Sequence, residues 1–141
     1  MPLAHWLVKS EPGTYSWDDL AKEKKTLWTG VRNHTAKGHL AAMKRGDLVL
    51  FYHSGEGKEV VGVAKVTAEA VPDPTAPAGE AWVAPTLAPV KKLAAPVTLA
   101  AIKAEPSLRE IPLVKLSRLS AMPIPAKAFE RILGMGKTKL G

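Results

Sequence analysis

DLVLFYH at residues 47–53, SGEG at 54–57 and KEVVGVAKVTAEA at 58–70 set two β-rich apolar runs on either side of a four-residue loop with two glycines. β-branched and aromatic side chains favour a pleated, half-buried surface, and a short glycine-containing connection lets the chain reverse, so the stretch predicts an antiparallel hairpin. Working back toward the N-terminus, AHWLVK at 4–9 is apolar in its middle and closed by Ser-Glu-Pro-Gly, which suits a buried strand ending in a turn. SWDDLAKE follows as a short helix, with Ser16 as its cap and Asp18 and Asp19 in the first turn, where negative charge is favourable. Between residues 35 and 43, Ala36, Leu40 and Met43 recur at helical spacing, and Gly46 is placed to end that helix in a left-handed turn.

Past the hairpin, PDPTAPAG at 72–79 must be a loop. EAWVAPTLAPVKKLAAPVTL then offers one or two strands whose prolines require edge positions or bulges. Thr98 can cap a short helix running to Lys103 and stopped before Pro106, and LVKL at 113–116 reads as one more strand. In PAKAFERIL, Pro125 suits a first helical position, and Phe129, Ile132 and Leu133 share an apolar face. The closing MGKTKLG, small, polar and basic, reads as a frayed tail in preference to a phosphate-binding segment. The sum is an α+β fold: a curved or barrel-like mixed sheet flanked by several short helices, expected as a single domain over residues 1–141.

Composition narrows the chemistry. The chain has no cysteine, which excludes disulfides, iron–sulfur clusters and thiolate zinc sites. No apolar run approaches the roughly 18 residues that span a bilayer, and the start lacks the pattern of a signal peptide, so a soluble cytoplasmic monomer without membrane association is expected. Twenty Lys and Arg against thirteen Asp and Glu give a net charge of +7, which biases association toward polyanions such as nucleic acid.

Catalytic and metal motifs are missing. His34 and His39 are five apart and point to different faces of a helix, so no metal site is expected. There is no nucleophile elbow, and GEGKE at 55–59 lacks the Ser or Thr and the following helix of a phosphate loop. The RGD at 45–47 is a helix stop entering a strand. What stands out is WTGVRN at 28–33, where a flat ring, a permissive backbone, a cationic fork and a planar amide crowd into six positions. That set suits a pocket for a flat polar ligand beside a phosphate.

HWLVKSEPGTYSWDDL, WTGVRNHTAKGHLAAMKRGDLVLFYHS and the later SRLSAMPI, in this order, closely resemble the EVE domain family over essentially the whole chain. The resemblance implies a PUA-like fold related to the YTH readers of methylated adenine, and a pocket for a modified nucleobase. Its motifs fall on residues 6–12, 28–33, 51–54 and 117–120. Where relatives often continue after GVRN with an aromatic and a glutamine, this chain has His34 and Thr35, a departure that bears on the preferred base.

Read as a base pocket, the residues divide by role. Trp28 supplies a stacking face, with Trp6 or Tyr52 as a second wall and core packing as the alternative, equally open for Trp6, while Trp17 on its capped helix is expected in the core. Asn33 matches a base edge or caps the next helix; Gly30 allows unusual dihedrals or close approach, and Val31 packs on a base face or a methyl group. Ser54, Ser117 and Ser120 read a base edge or bond to backbone, and Leu119 with Met122 forms an apolar wall. Arg32 and Arg118 are forks for phosphate and Lys9 a point charge; either arginine could instead pair with Glu11. The expected activity is non-catalytic binding of a modified base in DNA or RNA, with no cofactor, and an affinity in the micromolar range, near about −8 kcal/mol. The rivals are an enzyme of nucleic-acid modification and a pocket for a free nucleotide or another small molecule.

Overall fold

A computed structural model describes residues 4–55 and 57–140. Six strands form one mixed sheet: β1 (His5–Ser10), β2 (Thr26–Leu27), β3 (Leu48–His53), β4 (Glu59–Pro72), β5 (Val83–Thr98) and β6 (Ala121–Pro123). Their order across the sheet is β2-β5-β4-β3-β1-β6, with β1 and β3 parallel and the other neighbours antiparallel. The expected hairpin is β3–β4, and its Leu48↔Lys65 to His53↔Glu59 register slips once, at Phe51/Tyr52. Glu56, in the turn, lies outside the described residues.

The proline-interrupted stretch forms one long strand, β5, paired on both sides and accommodated by four register shifts against β4. Such bulges bend a sheet and increase its twist. Helices α1 (Trp17–Glu23), α2 (His34–Ala42), α3 (Leu99–Ala104), α4 (Pro112–Lys115) and α5 (Ala126–Met135) surround it. Ser16 caps α1 in a reciprocal box with Asp19, Thr98 caps α3, and α5 buries Phe129, Ile132 and Leu133.

Several expectations are corrected. LVKL at 113–116 is not a strand: residues 112–115 form α4, because Pro112 fixes a helical φ in the first turn and Leu113 is buried. Helix α2 ends at Met43 in an extended conformation, and Gly46 (φ 97°) instead makes the turn that delivers Asp47 and β3. Pro125 sits just before α5 rather than in its first turn. The C-terminal stretch is not frayed through residue 140: Thr138 is buried, accepts a hydrogen bond from Ala94 N (2.9 Å), and donates to the Gly136 carbonyl (2.8 Å).

Candidate nucleic-acid interface

A cleft of about 470 Å3 opens where the end of β1, the following turn, β2 with its continuation to residue 32, and the entry to β6 meet. Each wall has a local cause. Glu11, whose carbonyl accepts from Thr14 N (2.9 Å) and Tyr15 N (2.8 Å), folds the chain back after β1. Trp28 N donates to the Pro85 carbonyl (2.8 Å), tying the second wall to β5. Gly30 then takes φ 88°, which only glycine adopts without strain, and a Cβ there would meet nothing within 4 Å. The glycine therefore serves the turn and is not needed for close packing.

Trp28 is the floor. It is 7% exposed and packs edge-to-face on Tyr15 (centroids 6.0 Å) and Phe51 (5.5 Å) while still bordering the cleft. Tyr15 is the aromatic neighbour that the sequence reading missed; its only signal was its place just before the Ser16 cap. Burial first, and its hydrogen bond to the Glu23 carboxylate second (2.7 Å), push the Tyr15 phenol up to about 12. Lys9 lines the same space, and its ammonium donates to the Ser117 carbonyl (2.8 Å); burial pulls its pKa down. Ser120 and Val31 also line the cleft, as does Arg32.

Other candidates lie elsewhere. Trp6 is not a second wall: its indole is buried and donates Nε1–H to the buried Asp47 carboxylate (2.9 Å), the partner a buried indole needs. Tyr52 is 3% exposed, paired opposite Lys9 in the β1–β3 ladder, with the Lys9 ammonium 5.8 Å from its ring centroid; it does not line the cleft. Met122 is fully buried opposite Leu7 in the β1–β6 ladder. Ser54 sits at the hairpin turn, where its N–H donates to the Ser10 carbonyl (2.9 Å) and supports the end of β1.

Asn33, Ser117, Arg118 and Leu119 gather with Thr35 and Leu116 around a separate, shallower depression of about 330 Å3. Asn33 caps α2, with Oδ1 accepting from Ala36 N (2.9 Å), so its NH2 group is the part left to reach a ligand. His34 does not enter the cleft either; it stacks on Trp82 at 4.9 Å with the rings 30° apart. Arg32 pairs with neither Glu11 nor open solvent alone: it forms a salt bridge with Asp73 (3.0 Å) and donates to Thr75 Oγ1 (2.9 Å).

Residues 4–135 match the EVE domain. The chain belongs to the EVE domain family. A Rhodopseudomonas palustris protein whose structure was solved by NMR is 49% identical with a TM-score of 0.89, covering 96% of this chain and 94% of that one. A crystal structure of an Agrobacterium tumefaciens protein is 39% identical with a TM-score of 0.92 over the same shares. The human THYN1 protein, crystallised in complex with DNA containing 5-methylcytosine, is 29% identical with a TM-score of 0.86, covering 96% of this chain and 99% of that one. Full-length human thymocyte nuclear protein 1 is 40% identical over 84 residues, 51% of this EVE chain but only 37% of the human protein. This EVE chain thus matches little more than a third of that relative's length. No helix among its described residues is long and apolar enough to cross a membrane.

Proposed function

We propose that this EVE domain is a non-catalytic, monomeric nucleic-acid-binding module that takes one modified base, swung out of its strand, into the cleft floored by Trp28. The observation that carries the reading is that the WLVKSEP segment at 6–12 and the GVRN segment at 30–33, separated in sequence by residues 13–29, both line one cleft. Its volume falls within the roughly 300–1,000 Å3 of small-molecule sites. DNA is the first candidate, because the human relative of the same fold is crystallised with DNA containing 5-methylcytosine.

In this reading the base rests against Trp28 and Tyr15, with Gly30, Val31 and the Ser120 hydroxyl on its sides and Lys9 facing its sugar-phosphate. Arg118, Ser117 and the Asn33 amide, around the second depression, take the neighbouring nucleotide. Extruding a base from a duplex costs a few kcal/mol, least where the base is damaged, mismatched or already single-stranded. A shallow, partly core-bound floor therefore favours a weak reader.

Fluorescence titration with single-stranded and duplex oligonucleotides tests this, each carrying cytosine, 5-methylcytosine or another altered base. The expected result is tighter binding of at least one modified oligonucleotide than of its unmodified twin, weakened by Lys9→Gln. Equal affinity for every modified and unmodified pair would sink the reader proposal, and a mononucleotide bound as tightly as an oligonucleotide would replace it with a small-molecule site.

A further inference from the structure

Asp73 is the least expected polar residue in the molecule. It comes from the PDPTAPAG loop, 41 residues from Arg32, yet its side chain is completely buried. A lone buried carboxylate is costly unless its oxygens are fully hydrogen-bonded. Here Oδ2 accepts from Gly30 N (2.8 Å) and Arg32 Nη1 (3.0 Å), and Oδ1 accepts from Thr75 N (2.7 Å) and Thr75 Oγ1 (2.7 Å). Arg32 Nη2 closes the ring on Thr75 Oγ1 (2.9 Å), and its guanidinium lies 5.7 Å from the Trp82 ring centroid.

Both residues held at Oδ2 line the cleft. Resting on the base-cleft reading above, we infer that Asp73 is a positioning residue: it preforms the Gly30–Arg32 wall and withdraws Arg32 from phosphate, so that selectivity for the base outweighs attraction to the backbone. The energetics agree with the geometry. Burial alone would raise the Asp73 carboxyl, but the hydrogen bonds from Thr75, Gly30 and Arg32 outweigh it and hold the group well below the usual carboxylate range. The carboxylate is therefore ionised at neutral pH, where all four hydrogen bonds to it are made. Arg32 Nη1 donates to Asp73 and to the Val31 carbonyl (3.1 Å) and Nη2 to Thr75, so these contacts within the fold, with the Asp73 charge beside them, compete with phosphate for the guanidinium.

An asparagine cannot reproduce this. Asp73 accepts at both oxygens, and an amide would turn one of them into a donor facing N–H groups. In Asp73→Asn the wall loosens and Arg32 is released toward solvent. Three measurements follow. Amide exchange at Gly30, read by NMR on the free protein, accelerates at least tenfold while Leu50 in β3 is unchanged. The salt dependence of binding to an unmodified single-stranded oligodeoxynucleotide steepens by about 0.7 in log K against log[salt], the increment for one more single-strand phosphate contact. The preference for the modified over the unmodified oligonucleotide shrinks.

The D73N/R32Q double variant returns the salt slope to the wild-type value, which a merely structural role for Asp73 would not produce. Arg32→Gln in the wild-type background leaves the slope unchanged and decides the matter even where Asp73→Asn does not fold; a slope shallower by about 0.7 would show that Arg32 already contacts phosphate and would overturn the inference. Unchanged Gly30 exchange in a folded Asp73→Asn protein overturns it as well. A wild-type protein that prefers no modified base defeats the reader proposal alone, because Gly30 exchange and the slope with unmodified DNA still judge the role of Asp73.

Discussion

Trp28→Ala separates two roles that one ring performs at once. Trp28 is 7% exposed, and truncating a buried tryptophan costs about 3–5 kcal/mol through lost transfer energy and the cavity left behind. Its edge-to-face contacts with Tyr15 and Phe51, both at interplanar angles of 83°, each add about 0.5–1.5 kcal/mol beyond area burial. The ring also borders the cleft, so water can enter the space left by alanine, which places the expected loss at the lower end, about 3 kcal/mol. Trp28→Phe keeps a ring between Tyr15 and Phe51 and should fall within the ordinary point-mutant range of about 0.5–3 kcal/mol. Urea unfolding followed by far-ultraviolet circular dichroism measures both, as shifts in midpoint at constant slope. A loss below about 1 kcal/mol for Trp28→Ala would refute the argument that the floor of the cleft is part of the core. Because a domain of ordinary stability has about 5–15 kcal/mol in hand, the alanine variant should still fold, and its binding can be compared once the folded fraction is known.

Three further outcomes follow from the packing and titration of the same region. A Cβ on Gly62 would lie 2.5, 2.6 and 2.7 Å from three carbons of the buried Trp17 ring, so Gly62→Ala should cost about 1–3 kcal/mol in thermal unfolding; an unchanged midpoint would contradict that contact. His53 Nε2 accepts from Trp17 N (3.0 Å), and burial, reinforced by Lys92 and opposed by Glu59 and Asp18, lowers its pKa in the fold. The unfolded chain thus binds the proton more readily, so this contribution is present above the ordinary histidine value of about 6.5 and is lost as pH falls through the lower folded value; His53→Gln should flatten the stability profile on that acidic side. Tyr15 and Tyr52, the chain's two tyrosines, are both raised by burial, so alkaline difference absorbance of the folded protein should show phenolate appearing at higher pH than in the unfolded chain, whose tyrosines titrate at about 10; coincident folded and unfolded curves would contradict that burial.

The parts of this fold legible in the sequence are those decided over a few neighbouring residues. The β3–β4 hairpin, the Ser16 and Thr98 caps and the apolar face of α5 each rest on a periodicity or a cap within a dozen positions. LVKL misled because four apolar-rich residues fit either period, and the deciding feature was Pro112 one place earlier. The C-terminal stretch looked frayed because its partner is β5, reached through Thr138 and Ala94, 44 residues apart. The site was half legible for the same reason. GVRN and WLVKSEP could be placed at a pocket, but whether an indole faces ligand or core depends on where its N–H finds an acceptor, and Asp47, the acceptor for Trp6, is 41 residues away.

That distance dependence also changes how binding energy must be divided. A freely exposed aromatic face is worth about 1–3 kcal/mol per stacked base. Trp28 is too enclosed by Tyr15 and Phe51 to offer that in full, and Arg32 is committed to Asp73 and Thr75. What is left for ligand is the rim: the Ser120 and Thr29 positions, the exposed Gly30 turn, Lys9, and the second depression with Arg118. Under the proposed base-cleft reading, a site so composed gains less from attraction to any polyanion than from how well one base fills the cleft. Lys9 then becomes the discriminating residue between fit and charge. Its ammonium is already anchored on the Ser117 carbonyl, so Lys9→Gln should weaken modified and unmodified oligonucleotides by the same factor and reduce the salt slope by about 0.7. If the substitution instead abolished the preference for the modified base, Lys9 would be reading the base itself, and the division between rim charge and cleft shape argued from these contacts would be wrong.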